Sequence, residues 1–253
     1  MASFFQSLSR VAVVGLALLS NVQASPASWL DSHHGSLAGA KASLRLMPLG
    51  ASITYGYLSS DGNGYRNDLR QILVSDGYTV DMVGSRKAGS MKNNDNEGWP
   101  GLRIEQVEAK AKLSVPGLTP NLFTINAGTN DCVQDFDIDN AGKRMGDLLE
   151  YVWGASPGST VILSTLLLNR KESTEARVLR VNKQFRDLAK QKAAERKRIV
   201  LVDMHGPDGP QKGDMADDTH PNDVGYNKMA KIWHRGIQEA ASKSFLNAPV
   251  PIA

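Results

Sequence analysis

Apolar and polar positions along this chain follow two different periods that take turns. Short, nearly unbroken apolar runs rich in β-branched residues occur at 43–50 (SLRLMPLG), 78–84 (YTVDMVG), 121–128 (NLFTINAG), 160–168 (TVILSTLLL) and 198–204 (RIVLVDM). Runs of this length and composition predict buried strands. Between them apolar residues return every three or four positions. Tyr65, Leu69, Ile72 and Leu73 form one such stripe, and Met145, Leu148, Leu149 and Val152, just before Trp153, form another. Val178, Val181, Phe185 and Leu188 mark a long third segment from 173 to about 195, and Met229, Ile232, Trp233 and Ile237 mark a fourth after Pro221. That spacing gives each helix one apolar face and leaves its charged positions wet.

Strands that alternate with helices assemble into a parallel sheet, because each right-handed crossover returns the chain to the same end of the sheet. Strands that are apolar throughout need cover on both faces. The expectation is an α/β fold: a three-layer α/β/α sandwich around a five-stranded parallel sheet in flavodoxin-like order, occupying residues 43–243. Residues 25–42 read as a lead-in and 244–253 (SFLNAPVPIA) as a tail. The polar stretch 85–98 (SRKAGSMKNNDNEG) reads as a loop able to border a site.

Composition changes this picture at one end only. Arg10 precedes the apolar run Val11–Leu19, and the small residues Val22 and Ala24 then offer a cleavage point after Ala24. The run is too short to span a bilayer, so residues 1–24 are expected to be a secretory signal peptide and the mature protein to be extracellular. Elsewhere 28 basic residues (the chain's 29 less Arg10) face 26 acidic ones, interleaved rather than massed, which argues against a nucleic-acid partner. No second long apolar stretch suggests a membrane span. Cys132 is the single cysteine, so stability must come from the core rather than from disulfides; it reads as a small buried filler.

In open parallel sheets ligands bind beyond the carboxyl ends of the strands. Beyond the first run stands Ser52, and beyond the second and its polar stretch comes EGWPGLR with Gly101. The third leads to AGTNDC with Asn130, and the fifth to GDMADDTHPN with Asp217 and His220. One rim therefore collects what acyl transfer needs. A serine hydroxyl becomes nucleophilic when an imidazole takes its proton, and the imidazole needs a carboxylate to fix its tautomer. The backbone N–H groups of Ser52 and Gly101 and the carboxamide of Asn130 are candidate donors to the oxyanion. Asp218 rivals Asp217 as the orienting carboxylate, and Gly84 rivals Gly101 as a donor. His33, His34, His205 and His234 read as surface or packing residues. Trp99 is either loop packing or a platform for a sugar ring. Phosphate-binding and nucleophile-elbow motifs fail on spacing: no Lys follows GASITYG, and Thr54 stands where GxSxG requires glycine. No metal-ligand spacing is visible, and no cofactor is expected.

In this order MPLGASITYG, WPG, NAGTND and DDTHPNDVGY resemble the four sequence blocks of the GDSL or SGNH hydrolases, over about residues 45–230. PLGxSIT, VGS and EGxxGxRIxQ are more similar to the branch of carbohydrate esterase family 3, the acetylxylan-esterase-like enzymes. The resemblance implies Ser52 as nucleophile, His220 as base, Asp217 as its orienter and Gly101 and Asn130 as oxyanion donors. Trp99 and Arg103 fall in the block that would meet substrate. Two positions depart from the family pattern. Ala51 replaces the aspartate of the GDS motif, and Trp99-Pro100 replaces a usual His-Ser. The implied activity is deacetylation of a polysaccharide such as xylan. A lipid or general short-chain esterase is the alternative within enzymes, and a catalytically dead carbohydrate-binding protein the alternative outside them.

Overall fold

The computed structural model describes residues 41–251. The expected signal peptide and nearly all of the expected lead-in lie outside these residues. The chain begins its sheet with β1 (Leu44–Gly50) and passes through α1 (Ser52–Tyr55) and α2 (Arg66–Ser75) to β2 (Val80–Met82). Two short strands follow, β3 (Arg86–Lys87) and β4 (Asp95–Gly98). Then come α3 (Ile104–Leu118), β5 (Leu122–Asn126), α4 (Thr129–Gln134), α5 (Ala141–Ala155) and β6 (Thr160–Ser164). The series ends with α6 (Glu172–Ala194), β7 (Ile199–Val202) and α7 (Asp223–Ser242).

The five expected strands pair in parallel in the order β2-β1-β5-β6-β7, which is the flavodoxin-like order. The sheet has seven strands rather than five. The polar stretch 85–98 is not a loop: β3 and β4 form an antiparallel hairpin, and β4 runs parallel to β1 with Leu49 opposite Glu97 and Gly50 opposite Gly98. Strands β2 and β4 thus share one edge of β1, β2 beside its first half and β4 beside its end. A polar strand was invisible to a search for apolar runs because its side chains serve hydrogen bonds rather than a core.

Alternate side chains of the central strands feed two cores. Met47, Leu49, Phe123, Ile125, Val161 and Leu163 pack under α3, α5 and α6, with Val107, Leu148 and Phe185 among their partners. Leu44, Leu46, Leu122, Ile162, Val200 and Val202 pack under α2 and α7 against Leu69, Met229 and Trp233. Each such side chain contributes about 1.5–3 kcal/mol when fully removed from water, so both faces of the sheet are firmly closed. Residues 244–250, expected as a tail, are tied to the start of the sheet. Thr160 Oγ1 donates to Phe245 O at 2.7 Å, Asn121 Nδ2 to Asn247 O at 2.6 Å and Arg45 to Val250 O at 3.0 Å.

Candidate active site

At the end of β1 the chain turns directly into α1, and Ser52 is the first residue of that helix. The turn is tightly enclosed. A Cβ on Gly98 would come within 2.4 Å of Tyr55 N, so only glycine lets β4 lie against the helix that carries the serine. His220 arrives from the loop before α7. That loop is pinned by Ala216 N donating to His220 O at 2.8 Å and by Asn222, whose side chain caps Gly225 N at 3.1 Å.

These two elements bring the side chains together. Ser52 Oγ lies 2.9 Å from His220 Nε2, and His220 Nδ1 lies 2.8 Å from Asp217 Oδ2. The second carboxylate oxygen, Asp217 Oδ1, accepts the backbone N–H groups of His220 at 2.6 Å and Thr219 at 2.7 Å. Partial burial pushes the Asp217 carboxyl up. The hydrogen bonds from His220 and from the two backbone amides outweigh that push and hold it below the ordinary carboxylate range. The rival Asp218 is exposed, and its carbonyl accepts Arg170 N at 2.9 Å.

Two of the candidate oxyanion donors lie on other elements than the serine. Asn130, on α4, donates from Nδ2 to Leu102 O at 2.9 Å, which ties α4 to the turn carrying Gly101. Gly101 has φ +82° and open space around a Cβ. Glycine is needed there for its left-handed backbone. The N–H groups of Ser52 and Gly101 donate to no protein acceptor among the described residues. Gly84 is elsewhere: its Cβ would collide with Asn96 C at 2.1 Å, so it is a packing glycine of the sheet edge.

The two residues expected to meet substrate are engaged by the protein. Trp99 Nε1 donates to the buried carboxylate of Glu97 at 2.8 Å, and its ring carries Arg86 at 4.5 Å and Lys110 at 4.3 Å. Its half-buried indole packs within its own loop. Arg103 flanks α3, bonds Glu105 at 2.7 Å and Gln134 at 2.8 Å, and lies 4.0 Å from the Phe136 ring. It braces the turn that holds Gly101.

Sequence reasoning missed several residues that hold the site. Tyr57 packs its ring against the His220 imidazole, centroids 4.9 Å apart and planes inclined at 61°. Asn169 donates to Thr219 Oγ1 at 3.0 Å and so steadies the base's loop from the end of β6. Asp131 is fully buried, pairs with Arg144 and accepts Ile104 N at 3.2 Å, which caps α3 from another element. Only the position of Asp131 inside the NAGTND block signalled anything. His205 and His234 pair with Glu175 and Asp76, each at 2.6 Å, as structural residues. No cluster suited to a metal occurs among the described residues. A cleft of about 890 Å³ between Asn169, Glu175, His205 and Lys212 includes neither Ser52 nor His220.

Comparison with known proteins agrees with this geometry. The profile of the GDSL-like Lipase/Acylhydrolase family matches residues 49–228. The chain belongs to that family. A "Multidomain esterase" of Ruminococcus flavefaciens is 28% identical over 231 residues, covering 80% of this chain and 29% of the relative. The chain thus spans less than a third of that relative's length. A family 3 carbohydrate esterase of Clostridium thermocellum has the same fold, with TM-score 0.71 and 21% identity over 79% of this chain and 98% of that one. Another from Talaromyces cellulolyticus gives 0.69 and 21% over 79% and 99%. Against the GDSL pattern, Ala51 is buried and gives α1 no side-chain cap. The helix is held instead by Gly56 N and Tyr57 N, which both donate to Ser52 O, at 3.1 and 3.0 Å.

Proposed function

We propose that this GDSL-family hydrolase is an exported serine esterase that removes short acyl groups, acetyl first, from a polysaccharide such as xylan. The observation that carries the mechanism is the continuous relay from Ser52 Oγ through His220 to Asp217, at 2.9 and 2.8 Å. His220 Nε2 takes the Ser52 proton as Oγ attacks the ester carbonyl, and ionised Asp217 stabilises the imidazolium that forms. The oxyanion is received by the N–H groups of Ser52 and Gly101 and by Asn130, one of whose amide hydrogens is already committed to Leu102 O. The same Nε2 then protonates the departing alkoxide, and a water repeats the sequence on the acyl-enzyme. The names of the carbohydrate esterases that share the fold support the polysaccharide, and the leader-like residues 1–24 support export. A small acyl group suits a serine that is nearly buried at 9% exposure.

Kinetics on folded variants test this. Ser52→Ala and His220→Ala each abolish turnover, and the double variant is scarcely worse than either single one. Asn130→Ala lowers kcat by about 10²–10³. A p-nitrophenyl ester series peaks at acetate and falls beyond butyrate. A peak at eight carbons or longer would move the protein to the lipid-esterase reading. N-terminal sequencing of secreted material starts near Ser25.

A further inference from the structure

Beside the base, the chain holds an apolar pair in a conformation that costs energy. Leu58 has φ +63°, a left-handed backbone in which a bulky side chain is strained. The neighbouring bonds force it. Tyr57 N donates to Ser52 O at 3.0 Å, Tyr226 Oη donates to Tyr57 O at 2.6 Å, and Ser60 N donates to Asp223 Oδ1 at 2.9 Å. The result is a display rather than a packed turn: Tyr57 remains 49% exposed and Leu58 45%. Their burial does not compensate for the strain, so it is spent on where they stand.

Tyr57 stands against the imidazole that must protonate the leaving group. In ester hydrolysis the departing oxygen has to come within hydrogen-bond reach of the same Nε2 that bonds Ser52 Oγ. The carbonyl oxygen is drawn the other way, toward the donors on α4 and the turn after β4. Whatever is attached to the departing oxygen therefore meets the half-exposed tyrosine ring.

We infer that Tyr57 is the specificity-determining wall for the alcohol half of the substrate, and that it takes a pyranose ring stacked by its C–H face. An aromatic ring offers a flat apolar surface at low entropic cost, and its hydroxyl can meet sugar hydroxyls at the rim. The inference rests on the esterase assignment of Ser52 and His220 and adds which side of the site reads the alcohol. Leu58 extends the same wall outward.

The test compares two acetates that share their acyl group, methyl acetate and an acetylated methyl xylopyranoside. In Tyr57→Ala the ratio of kcat/KM for the sugar acetate over methyl acetate falls about fivefold. In Tyr57→Phe it stays within about twofold of the wild type, because the stacking face is kept. Equal losses on both acetates in Tyr57→Ala, or an unmoved ratio, would overturn the inference and leave Tyr57 as packing for His220. Tyr57→Leu keeps bulk without the aromatic face and gives the same reading if the alanine variant folds poorly. Failure of the esterase assignment shows separately, as wild-type protein that turns over neither acetate or as activity that survives Ser52→Ala.

Discussion

Cys132 is fully buried on α4, two residues from the candidate oxyanion donor, and its thiol is not a second nucleophile. Burial, with the neighbouring Asp131 carboxylate adding to it, pushes the thiol up from 9.0 to about 12. Iodoacetamide at pH 8 therefore leaves the native protein unlabelled and modifies Cys132 only after urea unfolding, as mass spectrometry will show. The folded value is the higher one. The thiol's contribution to stability is thus intact below 9.0 and is lost as pH rises toward about 12. Asp217 is the opposite case. Its folded value lies below the ordinary one, so its contribution is present above the ordinary carboxylate range and lost only as pH falls through the lower folded value. Asp217→Asn lowers kcat by about 10³–10⁴ through the wrong imidazole tautomer, with the fold unchanged by circular dichroism.

Among the elements, the β3–β4 hairpin has no apolar face of its own and is held by a buried arginine. Arg66, fully buried at the start of α2, donates to the carbonyls of Asn94, Tyr55, Gly62 and Ala88 at 3.0–3.1 Å. One guanidinium thereby joins the hairpin, the end of the serine helix and the loop between them. Lysine brings one point charge and no fork, and it would strand several of these buried acceptors. Arg66→Lys accordingly costs about 2–4 kcal/mol in urea unfolding. Helix α3 shows the complementary case. Its stripe of Ile104, Val107, Ala111 and Val115 is regular and Gln106 Oε1 caps it locally by accepting Arg103 N at 3.0 Å, but Pro116 and Gly117 blur its end. Asp131 caps it across space, which no local rule reads from the chain.

At the scale of the molecule, the two ends of the strands do different work. The candidate catalytic side chains gather at the carboxyl ends, whereas residues 244–250 close the opposite ends through Phe245, Leu246 and the bonds to Thr160, Asn121 and Arg45. Truncation after Lys243 therefore lowers Tm by several degrees but leaves kcat/KM on p-nitrophenyl acetate within about twofold at temperatures where the variant is folded. Periodicity by itself determined the five parallel strands, their order and the two-sided cover, because buried strands and amphipathic helices leave a hydrophobic record at every turn. The spacing of chemistry-bearing residues after successive strands also located Ser52, Gly101, Asn130, Asp217 and His220 on one rim, since parallel topology brings those ends together whatever lies between. Only the tertiary structure decided the rest. It made a polar stretch into two strands, turned Trp99 and Arg103 inward to neighbours, set Tyr57 against His220 and fastened the last residues to the sheet. Each of these depends on polar or single contacts between residues far apart in the chain, and such contacts leave no period in the sequence to be read.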